Sequence, residues 1–211
     1  YEMSVSDWSA DVCSSDLGEA DAKGIEAILT GRWVNPNQTL IGFSLSASRG
    51  WPTKNWPAGH FMDLARLVEQ KLGARVLLLG DREAEPAGGA FDPAKFPSVI
   101  NLTGKTSLGE WISCINRVDV LVTGDSAPMH VAAACGTPFV ALFGPTDPRR
   151  HLPPARHFAV LRKNLDCAPC YSGECREKRF ICLPGIEVEE VFREIVQLLE
   201  VKKAKSGGEE T

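Results

Sequence analysis

Three groups of side chains in this sequence stand where they could do chemistry. The first centres on Lys54, in the segment Trp51-Pro52-Thr53-Lys54-Asn55-Trp56-Pro57. A loop ammonium can hold a phosphate, although a lone lysine is more often a solvated cation. The second is Gly124-Asp125-Ser126-Ala127-Pro128-Met129-His130, which follows one apolar run and opens a run of small residues. Pro128 suits a first helical turn, where its missing N–H costs nothing, and Asp125 or Ser126 can cap that helix. Free amides and the positive end of a helix dipole make such a start an anion site, yet many capped helices hold no anion. His130, in the same turn, is as readily a packed histidine as a ligand contact. The third group is Cys167, Cys170, Cys175 and Cys182, separated by two, four and six residues. Four thiols can hold zinc tetrahedrally, but the last spacing is looser than a zinc-ribbon knuckle, so no metal is expected. Glu83, shortly after an apolar run ending at Leu79, can accept hydrogen bonds from ribose hydroxyls, with Glu85 competing for the role. Neither a Walker sequence nor G-x-G-x-x-G is present, which disfavours a nicotinamide-dependent oxidoreductase.

These residues need elements to position them. Short apolar runs at Ile41–Leu45, Arg75–Leu79, Val99–Leu102, Val118–Val122, Phe139–Phe143 and Phe158–Leu161 predict six strands. Phe61, Leu64, Ala65, Val68 and Leu72 repeat as one face of a helix that Gly73 closes. Leu108–Ile115, with Ser107 as N-cap, and Ala127–Cys135, stopped by Gly136, predict two more helices. Val188, Val191, Phe192, Ile195 and Leu199 predict a final one. Alternating helices and continuously apolar strands predict an α/β fold: a doubly wound, Rossmann-like domain with a mainly parallel sheet. Ligands in such sheets bind beyond the carboxyl ends of the strands. Ser46–Arg49, Gly80–Glu83, Gly124–Ser126 and Gly144–Asp147 should therefore line one crevice.

Composition narrows the classes of function. A net charge of -4 gives no reason to expect nucleic-acid binding. No apolar run approaches the ~20 residues of a membrane span. Seven cysteines in 211 residues do not make a disulfide scaffold, which favours a reducing cytoplasm. Residues 1–17 show no helical or strand period and read as non-native or disordered. Residues 18–40 read as a linker, 41–201 as the ligand-binding domain and 202–211 as a solvated tail.

Lys54-Asn55-Trp56-Pro57, the long segment Gly124–Pro148 and the cysteine-rich segment before the last helix together resemble glycosyltransferase family 9, the ADP-heptose:lipopolysaccharide heptosyltransferases. The resemblance covers roughly Gly24 to Val201. It implies the C-terminal half of a GT-B fold, the domain that binds the nucleotide-sugar donor, with no counterpart of the N-terminal acceptor domain and its catalytic aspartate. Carried over on matching positions, Lys54 and Ser48 contact the donor diphosphate. Asp125 lies beside the sugar and phosphates. Ser126, Ala127, Met129 and His130 form the turn that holds the donor, and Glu83 binds the ribose. The implied reaction is inverting transfer of heptose from ADP-heptose to the lipopolysaccharide inner core, without metal or cofactor. The implied place is the cytoplasm, with a peripheral position at the inner membrane surface as a further option. A non-catalytic nucleotide-binding module and a transferase using another nucleotide sugar are the alternatives.

Overall fold

In a computed structural model the described residues are 19–32, 34–35, 37–45, 51–177 and 179–206. In chain order the elements are α1 (Glu19–Gly31), β1 (Leu40–Ser44), a single 3-10 turn at Pro52–Lys54, and α2 (Ala58–Leu72). Then come β2 (Arg75–Leu79), a 3-10 turn at Arg82–Ala84, α3 (Glu85–Gly89), β3 (Val99–Asn101) and α4 (Leu108–Arg117). β4 (Val120–Gly124), α5 (Ala127–Cys135), β5 (Phe139–Phe143), α6 (Pro148–His151), β6 (Phe158–Arg162) and α7 (Val188–Ser206) complete the chain.

The six strands form one sheet in the order β3-β2-β1-β4-β5-β6, and every adjacent pair is parallel. This is the doubly wound order, in which the winding reverses between β1 and β4. All six carboxyl ends share one edge, as the sequence predicts. The strands are continuously apolar because both faces are covered. Phe43, Leu78, Val122 and Leu142 pack with α2 and α7 on one side. Leu40, Leu77, Leu121 and Ala141 pack with α1, α4 and α5 on the other.

α2 buries Phe61, Leu64, Ala65 and Val68, the face that its apolar spacing predicts. Phe61, Leu64 and Val68 each contribute ~1.5–3 kcal/mol on burial. Gly73 ends α2 and Gly136 ends α5, both in the left-handed region, with φ 60 and 72. Ser107 caps α4 in a complete capping box with Glu110.

Three boundaries differ from expectation. β4 starts at Val120, not Val118, because Asp119 is turned to accept a hydrogen bond from the Leu40 amide at 2.9 Å. Val118 instead packs under Gly42, where a side chain would meet its methyls. The segment read as a linker, 18–40, contains α1, whose Ile25 and Leu29 are buried against α4. The segment read as a tail begins as helix: α7 runs to Ser206, and Lys202 Nζ reaches Asp119 Oδ1 at 2.6 Å.

Candidate functional site

Lys54 is held by its neighbours in sequence. Pro52 opens the 3-10 turn, Thr53 is buried, and Thr53 Oγ1 donates to the Ser172 carbonyl at 2.7 Å. Trp56 is core, its Nε1 donating to the Ile186 carbonyl at 3.2 Å. Trp51 lies under the ammonium, with Nζ 4.9 Å from the ring centroid. A flexible side chain is thus presented from a fixed base.

Asp125 follows β4, the neighbour of β1, and its carboxylate is buried. Lys54 Nζ stands 2.8 Å from Asp125 Oδ2, a close charge contact without hydrogen-bond alignment. The pair therefore sits at the reversal point of the sheet, where open α/β sheets bind ligands. Gly124 makes the approach possible: a Cβ there would lie 2.8 Å from the Lys54 carbonyl oxygen.

The start of α5 lies beside this pair. Neither Asp125 nor Ser126 caps it, contrary to expectation. Asp125 is committed to Lys54, and Ser126 Oγ stands 3.5 Å from Thr123 Oγ1. The first-turn amides are left without a side-chain cap, and the dipole there favours a negative group. Ala127 and His130 are exposed on this turn. Met129 is fully buried in the core, and its amide donates to the Ser126 carbonyl at 3.1 Å.

A cavity of about 340 Å³ opens at the first turn of α5, lined by Ser44, Asp81, Leu108, Trp111, Ala127 and Pro128 among others. Leu108, among the residues lining it, is 72% exposed. Asp81 accepts from the Glu83 and Ala84 amides at 3.0 and 3.3 Å and also faces the cavity. Glu83 is exposed on the 3-10 turn, and the cavity wall is formed by Asp81 instead. Ser48 lies outside the described residues. Asp81 belongs to the Gly80–Glu83 stretch expected at the crevice, whereas Leu108 and Trp111 escaped the sequence reading; the available signal was their position at the start of α4, at the carboxyl edge.

The comparisons with known proteins bear on this arrangement. The profile described as glycosyltransferase family 9 (heptosyltransferase) matches residues 3–181. The chain belongs to glycosyltransferase family 9. The matched span begins inside residues 1–17. This family 9 chain is 39% identical over 131 residues to lipooligosaccharide heptosyltransferase 2 of Haemophilus influenzae, covering 60% of this chain and 37% of that protein. It is 34% identical over 171 residues to the Haemophilus ducreyi lipooligosaccharide heptosyltransferase 2, covering 77% of this chain and 48% of that protein. Among solved structures, Escherichia coli ADP-heptose lps heptosyltransferase II superposes with a TM-score of 0.71 at 26% identity, over 89% of this chain and 54% of that one. The chain spans about half the length, or less, of these relatives.

At the far rim of the family 9 crevice, Asp147 is buried at the end of β5 and bound by Arg149, with the Nη2 to Oδ2 distance 2.6 Å. The Arg149 hydrogen bonds hold its carboxyl down at about 2. Cys167, Cys170, Cys175 and Cys182 are free thiols, and all four border one cavity of about 390 Å³ beside Thr53 and Gly144. Among the described residues, no three His, Cys, Asp or Glu side chains are already gathered to hold a metal ion.

Proposed function

We propose that this chain is the donor-binding half of an inverting heptosyltransferase, holding ADP-heptose for transfer to the lipopolysaccharide inner core. The reading rests on the Lys54–Asp125 pair at the sheet's reversal point, beside the uncapped start of α5. Lys54 carries three N–H donors, and the aspartate occupies one side of the ammonium. The remaining donors and the α5 amides can receive a diphosphate together. The cavity next to Ala127 and Pro128 is of a size and apolarity to take adenosine, with Trp111 and Leu108 against the base and Asp81 or Glu83 toward the ribose. Asp125, with Ser126, Ala127 and exposed His130, faces the sugar side.

In the reaction a hydroxyl of the acceptor attacks the anomeric carbon as the nucleoside diphosphate leaves. Charge grows on the departing diphosphate, and fixed cations and amides lower the barrier by meeting it. Lys54 and the α5 turn do this without a metal. Removal of the acceptor proton needs a general base beside the attacking hydroxyl. That base and the acceptor surface are assigned to the opposing GT-B domain. No helix among the described residues is long and apolar enough to cross a membrane. A cytoplasmic place next to the lipid-linked acceptor follows from the substrate, not from the fold.

Calorimetric titration tests the reading. ADP should bind this chain in a 1:1 complex and raise its melting temperature. The same 211 residues should transfer no heptose to a heptose-deficient acceptor. Absence of ADP binding, or turnover by these residues alone, would overturn it.

A further inference from the structure

The carboxyl edge of the sheet carries its charge unevenly. Residues 149–179 hold eight Arg and Lys against three Asp and Glu, in a chain whose net charge is -4. Arg149 and Arg150 stand on α6, just past β5, and Arg162 closes β6. Arg176 and Arg179 border the cavity of about 390 Å³ beside Gly144 and Pro145. Arg149, Arg150, Arg176 and Arg179 are all exposed. Like charges gathered on one surface repel, so such a patch weighs against the compact state unless something offsets it.

Contacts make these residues one patch. Arg149 binds Asp147, and the charge of Arg162 reaches the same carboxylate. Arg162 Nη2 donates to the Ala168 carbonyl at 3.4 Å, and Ala168 borders the same cavity as Arg176 and Arg179. Tyr171 ties the segment after β6 to the end of β5: its amide donates to the Pro145 carbonyl at 2.8 Å, and its ring lies 5.8 Å from that of His151 on α6. Exposed Asp166, Glu174 and Glu177 offset part of the charge and leave a cationic excess. Among these cations stand two apolar side chains turned to solvent, Tyr171 at 40% and Ile181 at 49% exposure. The described residues between Arg162 and Val188 form neither helix nor strand, and a stretch of this length inside a compact domain generally has a function of its own.

A soluble polyanion would use the cations alone. An anionic bilayer uses both kinds of side chain: guanidinium groups meet headgroup phosphates, while Tyr and aliphatic tips enter the interfacial layer. We propose that α6 and the segment between β6 and α7 form a docking surface for an anionic lipid bilayer. Arg150, Arg176 and Arg179 meet the phosphates there, and Tyr171 and Ile181 enter the interface. The choice of partner rests on the lipid-linked acceptor of the proposed function. The sheet order puts this patch beyond β5 and β6, whereas the cavity assigned to adenosine lies beside β2 and α4. The Lys54–Asp125 pair, after β1 and β4, stands between the two. Docking through the patch therefore leaves the adenosine cavity uncovered. Exposed cations are screened by salt, so the attachment weakens as ionic strength rises.

Sedimentation of the full chain with vesicles tests this, using phosphatidylcholine alone and a mixture of phosphatidylcholine with phosphatidylglycerol. Binding to the anionic mixture is expected, with little to the neutral vesicles, and it should fall as salt is added. Arg150→Glu and Arg179→Glu should each lower the partition coefficient ~5-fold or more, the effect of one basic residue at an anionic surface. Ile181→Ser should lower it as well. Lys95→Glu, at an exposed cation outside the patch, should leave it unchanged. Circular dichroism should show every variant folded. Equal binding to the two kinds of vesicle would overturn the proposal, as would binding indifferent to both arginine substitutions. An equal loss from Lys95→Glu would assign the effect to net charge and overturn it too. Loss from the arginine substitutions with none from Ile181→Ser or Tyr171→Ser would make the patch a site for soluble polyanions, not for a bilayer. Vesicle binding is read without nucleotide, so failure to bind ADP would count against the proposed function alone.

Discussion

Lys54 and Asp125 meet at 2.8 Å although 70 residues lie between them, because one follows β1 and the other follows the adjacent parallel strand β4. The contact places a cation and its carboxylate partner at the reversal point of the sheet. Replacing Lys54 by Ala removes the proposed phosphate contact and leaves the buried Asp125 carboxylate without its cation. ADP affinity should fall by ~1–3 kcal/mol, as for loss of a charge-assisted contact. The melting temperature should fall as well. Calorimetry showing equal ADP affinity for both proteins would reduce the lysine to a structural counter-ion.

Gly124→Ala tests the same junction by volume. The added methyl would lie 2.8 Å from the Lys54 carbonyl oxygen, and backbone cannot yield as a side-chain tip does. A stability loss of ~1–3 kcal/mol is expected from such overpacking. Gly59→Ala, on an exposed turn of α2 with nothing within 4 Å, should instead stabilise by ~0.5–1 kcal/mol. Denaturant midpoints for the two variants should move in opposite directions.

Trp111 and Lys54 should divide the nucleotide between them. Trp111→Ala should weaken adenosine and ADP alike, by the ~1–3 kcal/mol typical of base stacking on an aromatic ring. Lys54→Ala should weaken ADP and leave adenosine unchanged. If Trp111→Ala left adenosine binding intact, the cavity beside α5 would not be the base pocket.

Asp147 sets an acid limit. Arg149 holds its carboxyl at about 2, below the ordinary 3.8. A depressed carboxylate contributes stability that is complete above 3.8 and drains away as the pH falls toward 2. Asp147→Asn should therefore be less stable than wild type at neutral pH, with the difference closing across that window. Parallel pH–stability curves down to pH 2 would show that the Arg149 contact contributes nothing.

Glycine and apolar spacing settled much of the architecture before any coordinates. The six apolar runs became the six strands, and the periodic face of Phe61 to Val68 became the buried face of α2. Local rules suffice there, because burial demands a fixed period and a left-handed helix stop demands glycine. α1 was missed although Ile25, Ile28 and Leu29 carry helical spacing, because its worth comes from packing on α4. The motif around Asp125 was legible as a helix start, and the family resemblance gave it a role. Its cap was misjudged because Ser126 and Asp125 are drawn away by Thr123 and Lys54. Only the tertiary structure could decide that Lys54 pairs with Asp125, that Asp81 and Trp111 share a cavity with α5, or that four irregularly spaced thiols border one space. Those relations depend on which strands lie side by side. Strand order is set by the packing of the whole sheet, a quantity that no short window of sequence contains.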